Sequence, residues 1–251
     1  MTDLAFGIDI GGSGVKGAPV DIATGESTAA RVRIPTPQPA TPSAVAKTVR
    51  DVLDSFDLPS DVAVGVTVPA VVHNGVTRSA ANIDKKWINA PAQDIVSDAC
   101  GRPITLLNDA DAAGLAETYY GAAQGQPGLV IVTTLGTGIG SALIYNGILV
   151  PNSELGHIEI DGMAAEKRAA ASIRTAEDLS WNAYIKRLQT YYSTLEFLFS
   201  PDLFVVGGGI SKSSEKFLPF LDLRTPIVPA QLRNQAGIVG AAMYAHQQRK
   251  G

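Results

Sequence analysis

Several short groups of residues combine functional groups and glycines at spacings that suit phosphate binding and proton transfer. Asp9 nearly closes the apolar run at residues 4–10, and Gly11-Gly12-Ser13-Gly14-Val15-Lys16-Gly17 follows. The bare backbone amides of such a turn can cradle a phosphate. A carboxylate beside them can hold magnesium, directly or through water. Ile104-Thr105-Leu106-Leu107 ends abruptly in Asn108-Asp109, and a small-residue helical pattern follows to Tyr120. Strand C-termini are where open α/β sheets hold ligands. Asn108 can donate and accept hydrogen bonds there, and Asp109 can take a proton. Both are equally suited to capping the helix. Gly136-Thr137-Gly138-Ile139-Gly140 forms a second glycine turn, after the apolar run at 129–135. Glu154 and His157 stand three apart across Gly156, too few ligands for a metal site by themselves. Gly207-Gly208-Gly209 lies between an apolar run at 202–206 and a helical pattern toward Phe217. It suits either a helix N-terminus facing an anion or nucleotide sugar, or a close strand–helix turn.

The elements that position these groups follow from periodicity and turn chemistry. Gly12, Gly14 and Gly17 fit G-x-G-x-x-G, but a dinucleotide fold needs a helix next. Pro19, the β-branched residues and Thr24-Gly25 instead read as strand, turn and a strand at 27–34. The plain alternative to a phosphate turn is therefore a glycine hairpin. A helix follows the stiff Pro35-to-Pro42 connection, capped by Thr41 or Ser43 and running to about Phe56 on a Val45, Val49, Val52, Leu53 stripe. A strand is expected at 61–68, a turn at His73-Asn74-Gly75, a solvated loop with an anchoring Trp87, and a helix from Pro91 to about Cys100. The first half thus reads β-β-β-α-β-α-β-α. The second half repeats strand, glycine turn, strand, which suggests a duplication whose two turns grip neighbouring phosphates. A charged helical segment starts at Glu166. The longest helical pattern spans 175–199, with Thr175 and Asp178 as its capping pair. A last strand at 225–228 precedes a helix at 236–248, where His246, Arg249 and Lys250 suit the negative end.

Composition bounds the function. The chain has 251 residues, is 45% hydrophobic and 18% charged, and carries a net charge of -4. It can bury a sizeable core, and nothing points to a nucleic-acid or membrane-surface binder. One cysteine, Cys100, allows neither a disulfide nor a cysteine-based zinc site. No apolar run reaches the ~18 residues of a membrane span, and no secretory leader pattern opens the chain. A cytoplasmic protein is expected.

Taken together, Gly7-Ile8-Asp9-Ile10-Gly11-Gly12-Ser13, Leu107-Asn108-Asp109-Ala110-Asp111-Ala112, Leu135-Gly136-Thr137-Gly138-Ile139-Gly140, Glu154-Leu155-Gly156-His157 and Val206-Gly207-Gly208-Gly209 resemble the ROK family of sugar kinases. That family lies within the actin, hexokinase and heat-shock ATPase superfamily. The resemblance implies an α/β, two-domain actin/hexokinase-like (ribonuclease H-like) fold with a cleft between the domains. The domains are expected at 1–108 and 109–251, hinged near Asn108, with the last helix, about 236–249, packing back on the first. It implies a phosphate-binding set of Asp9, Gly11, Gly12, Ser13, Gly14, Lys16, Thr134, Gly136, Thr137 and Gly138. Gly207, Gly208 and Gly209 would lie in the nucleotide-binding region. Asn82, Asn108, Asp109, Glu154, His157 and Glu166 would contact the sugar. Asp109 would be the catalytic base and Asp9 the magnesium residue.

Commoner members follow the histidine with zinc-binding cysteines, and residues 158–174 contain none. The segment from His157 to Trp181 instead resembles the actinobacterial polyphosphate glucokinase and glucomannokinase branch. The implied reaction is phosphoryl transfer from inorganic polyphosphate, with ATP as a second donor, to the 6-hydroxyl of glucose or mannose, with magnesium. A polyanion must meet local cations on an acidic protein, and Lys16, Lys85, Lys86, Lys212 and Arg168 are candidates. No nucleic-acid or membrane partner is expected, and the protein is a monomer or homodimer. The alternatives are a strictly ATP-dependent hexokinase for another sugar, a polyphosphate phosphatase, and a ROK repressor. The repressor would need an N-terminal DNA-binding segment ahead of the strand at Leu4.

Overall fold

The computed structural model describes residues 3–80 and 83–250. The chain divides into two units, one running to Ala112 and resuming at Gln235, the other Ala113–Asn234. The first contains β1 (Leu4–Gly11), β2 (Gly14–Asp21), β3 (Val32–Ile34), α1 (Pro42–Leu53), β4 (Ala63–Val68), β5 (Val72–His73), β6 (Val76–Thr77), α2 (Ala92–Cys100), β7 (Thr105–Asn108) and the start of α3 (Asp109–Tyr120). Its sheet runs β3-β2-β1-β4-β7. β1, β2 and β3 are antiparallel neighbours, while β1, β4 and β7 run parallel. The parallel strands are apolar almost throughout because helices cover them. α1 buries Val45, Val49 and Val52, and Thr41 caps it by accepting from the Ala44 N–H at 3.4 Å. The register aligns Asp9 with Thr67, and Thr67 with Leu107, so three strand C-termini share one edge.

The second unit contains β8 (Leu129–Leu135), β9 (Ile139–Tyr145), β10 (Ile148–Val150), β11 (Glu159–Ile160), β12 (Met163–Ala164), α4 (Glu166–Ala169), α5 (Ala171–Ala176), α6 (Trp181–Phe199), β13 (Leu203–Gly207) and β14 (Ile227–Pro229). Its sheet runs β10-β9-β8-β13-β14. Apart from the two small hairpins, β5–β6 and β11–β12, each sheet has the order third, second, first, fourth, fifth. This agrees with the duplication read from the paired glycine turns. Core packing centres on Tyr184, Tyr191, Tyr192 and Leu195 of α6 against Phe204 and Val206 of β13. The final helix, α7 (Ala236–Lys250), belongs to the first unit and lies on β1 and β4. The backbones meet so closely that a Cβ on Gly7 would sit 1.8 Å from the Ile238 carbonyl oxygen, and one on Gly65 1.9 Å from that of Ala241.

Several local expectations need correction. The long helix begins at Trp181, not Thr175. Ser180 caps it, accepting from the Ala183 N–H at 3.3 Å. Asp178 takes φ 47°, which breaks the pattern, and Thr175 belongs to α5. The strand expected at 27–34 shrinks to Val32–Ile34, with Ser27 making only a bridge to Val20. The helix after Gly208 is a 3-10 segment kinked at Ser213, since Ser and Gly there favour turns. Lys85–Trp87 is a 3-10 turn, not an open loop, and buried Trp87 donates its indole N–H to the Ala40 carbonyl at 2.8 Å. His246 faces Asp3 at 3.1 Å. Among the described residues, no helix is long and apolar enough to cross a membrane.

Candidate active site

In the first unit the groups gather where β1, β4 and β7 end. The β1–β2 hairpin pairs Gly11 with Gly14 and sets Asp9 opposite Lys16. The Asp9 carboxylate accepts from the Thr67 hydroxyl at 3.0 Å and from the Lys16 ammonium at 3.4 Å. Gly11, Gly12, Thr36, Pro69, Ile83 and Asp84 border a pocket of about 270 Å3. Asn82, expected to contact sugar, lies outside the described residues. Asn108 is buried at the end of β7. Its side-chain oxygen accepts from the Ala110 and Asp111 N–H groups at 2.8 and 3.1 Å, and its amide donates to the Ala70 carbonyl at 3.1 Å. It is therefore the cap of α3 and ties β7 to the segment after β4. Asp109 is the first residue of the helix, and its Oδ1 also accepts from the Ala110 N–H at 2.9 Å.

In the second unit two glycine turns lie side by side. β8 and β13 are parallel with Thr134 opposite Gly207, so Gly136-Thr137-Gly138 and Gly207-Gly208-Gly209 leave the sheet at the same end. Gly208, at φ 83°, runs against the Leu135 carbonyl, where a Cβ would stand 2.3 Å from the oxygen. Ser172 fastens the turn at 136–138: its N–H donates to Gly136 O at 3.0 Å and its hydroxyl to Thr137 O at 2.6 Å.

Beside that turn the fold brings Glu154, His157 and Glu166 together. His157 Nε2 lies 3.6 Å from Glu154 Oε2, and its Nδ1 lies 3.9 Å from Glu166 Oε1. The other Glu166 oxygen accepts from the Ile139 N–H at 3.3 Å. Gly156 is required in this segment, because a Cβ would stand 2.1 Å from the Ile139 carbonyl oxygen. Burial raises the Glu154 carboxyl above its ordinary range; His157 opposes the rise and the Glu166 carboxylate adds to it. Two carboxylates and an imidazole edge in one place match the donors and acceptors of sugar hydroxyls.

Sequence reasoning passed over several residues here. Thr36 donates its hydroxyl to the Gly11 carbonyl from within the proline-rich connection. Arg33 donates to the Ser13 carbonyl at 2.6 Å. Thr67 and Ser172 reach Asp9 and the second turn from distant segments. Only the register of β4 against β1 could have found Thr67, and nothing local marks the others.

The ROK family model matches residues 5–172. A polyphosphate glucokinase of Mycobacterium tuberculosis is 52% identical over 239 residues, covering 95% of this chain and 89% of that protein. Among solved structures, the inorganic polyphosphate/ATP-glucomannokinase of an Arthrobacter strain superposes with a TM-score of 0.92 at 54% identity, covering 98% of this chain and 99% of that one. A ROK glucokinase of Streptomyces griseus, in complex with glucose and AMPPNP, matches with a TM-score of 0.80 at 25% identity over 97% of this chain and 99% of that one. The architecture is that of the actin/hexokinase-like sugar kinases. With its glycine turns, its Asn-Asp pair and its Glu-x-x-His segment in this order on that fold, the chain belongs to the ROK family.

Proposed function

We propose that the protein transfers a phosphoryl group from inorganic polyphosphate to the 6-hydroxyl of glucose, with mannose as a second acceptor and ATP as a second donor. The observation that carries this reading is the likeness of half or more of the residues, across nearly the whole chain, to enzymes named for polyphosphate and glucose or mannose. The two units are read as the two domains of such a kinase, working in the cytoplasm. The clustered Glu154, His157 and Glu166 hold sugar hydroxyls, together with Asn82 and Asn108. Asn108 uses its carbonyl as a cap and one amide N–H on the Ala70 carbonyl, so its second amide N–H is what it offers the sugar. Asp109 accepts the proton of the 6-hydroxyl as the phosphoryl group arrives. Backbone N–H groups of the turns at 11–14 and 136–138 stabilise charge on the moving group. The glycines at 207–209 receive the nucleoside when ATP is the donor.

Magnesium fits the residues present. Mg2+ is held by one or two carboxylates plus substrate phosphates, not by a full protein cage. Among the described residues no group of three or more acidic, His or Cys side chains is arranged to hold a metal ion, and part-exposed Asp9 stands beside the first glycine turn. Asp9 would hold the ion, which when bound neutralises charge on the donor phosphates.

Polyphosphate consumption and free phosphate release, each measured with and without glucose, test this reading against a hydrolase. Donor consumption should require the sugar. Donor consumption that continues undiminished without glucose, with inorganic phosphate released in step, would overturn the kinase assignment.

A further inference from the structure

The cations singled out by sequence for a polyanion are Lys16, Lys85, Lys86, Lys212 and Arg168. Arg168 is engaged with Asp161 at 3.0 Å. A different cation stands at the first glycine turn. β2 and β3 pair with Lys16 directly opposite Arg33. Asp9, Lys16 and Arg33 therefore follow one another across β1, β2 and β3 on one face. Like charges opposite each other on neighbouring strands repel. Asp9 offsets Lys16. Arg33 has no carboxylate within ion-pair distance among the described residues. Its contacts are with the Ser13 carbonyl, at 2.6 Å, and the Ser13 hydroxyl, at 3.4 Å, both from Nη2.

The guanidinium is laid on the turn itself. A Cβ on Gly14 would stand 2.6, 2.8 and 2.9 Å from its Nε, Cζ and Nη2 atoms. The absent side chain at Gly14 is thus the space Arg33 occupies. An exposed, uncompensated guanidinium pinned beside a row of backbone amides is suited to phosphate, which its fork can bind through two N–H groups. A single transferred phosphoryl group would be served by the turn and Lys16. Arg33 lies one strand further out.

We propose that Arg33 binds phosphates of the donor beyond the one transferred, making the turn at 11–14, Lys16 and Arg33 one anion-holding edge. This rests on the polyphosphate reading above. It implies that Arg33 favours long polyanions over short ones. A staple role alone, holding Ser13 in place, would not depend on donor length.

The test compares wild type, Arg33→Ala, Arg33→Lys and Arg31→Ala, the last removing a nearby exposed charge. KM is measured for long-chain polyphosphate and for tripolyphosphate at saturating glucose and two salt concentrations, with glucose KM and Tm alongside. Arg33→Ala should raise the long-chain KM roughly five- to tenfold. The rise should be smaller for tripolyphosphate, and the salt dependence of the long-chain KM should flatten. Glucose KM should hold, Arg33→Lys should fall between, and Arg31→Ala should match wild type. An unchanged long-chain KM would overturn the proposal. So would an equal rise for every donor and for glucose with a lowered Tm, the signature of a staple. If wild type does not turn over polyphosphate, the donor reading fails separately. Anisotropy of a fluorescently labelled polyphosphate on wild type and Arg33→Ala then decides the site, and equal binding would overturn it.

Discussion

Asp109 stands directly behind a cap that Asn108 already makes, so α3 does not rely on the Asp109 carboxylate to begin. Asp109→Asn keeps the size and the polar edge but cannot accept a proton. Its kcat should fall roughly 10²–10⁴-fold, about 3–5 kcal/mol of barrier, with the circular dichroism spectrum and glucose binding retained. Near-normal turnover would return Asp109 to a structural role. Glu154 gives a second residue-scale expectation, in pH. Its folded-state pKa is raised from the ordinary 4.5, chiefly by burial. The folded protein thus holds this proton more tightly than the unfolded chain does. The stability it contributes is fully present below pH 4.5 and is lost as pH rises through the raised value. Glu154→Gln cannot ionise, so its Tm relative to wild type should climb as pH rises from the ordinary 4.5 through the raised folded value, and level off above it. A Tm difference that stays constant with pH would remove the inferred shift. The groups legible in the sequence at this scale, Asp9, Asn108, Asp109, Glu154 and His157, each sit inside one short contiguous motif, at a strand end or in a tight turn. Arg33, Thr36, Thr67 and Ser172 act from other segments, and no local pattern encodes pairings made across the sheet.

The elements show the same division between local and distant signals. The strands were legible because apolar runs ended in glycine or Asn-Asp punctuation. The start of α6 was misread because Thr175 and Asp178 carry capping side chains too, and only the backbone at Asp178, in the left-handed region, excludes them. Ser180→Ala should therefore cost about 1 kcal/mol in urea unfolding, while Thr175→Ala costs far less. Glu117, on α3, was missed altogether. It is 1% exposed, and its carboxylate accepts from the N–H groups of Ala122 at 2.8 Å, Gln231 at 3.1 Å and Leu232 at 2.8 Å. A helix pattern alone makes a glutamate look solvated; here it pins the segment that precedes α7. Glu117→Ala strands those donors and should lower unfolding stability by about 2–4 kcal/mol. A loss under about 0.5 kcal/mol, the range of a surface substitution, would contradict that role.

At the scale of the whole molecule, two sheets of the same strand order each present a glycine turn, and the segment after His157, residues 158–174, contains no cysteine. Cys100, the one cysteine, is a thiol that burial pushes up to about 11, far from the thiolate a metal needs. Purified protein should carry well under one equivalent of zinc by elemental analysis, and strong chelators of zinc should leave its fold unchanged. Stoichiometric, tightly bound zinc would contradict this. The donor decides the central claim. Purified protein, glucose and magnesium are incubated with long-chain polyphosphate as the sole phosphoryl donor, free of nucleotide, and glucose 6-phosphate is followed through a coupled dehydrogenase. The expected result is sustained glucose 6-phosphate formation that consumes polyphosphate. Formation with ATP and none with polyphosphate would contradict it.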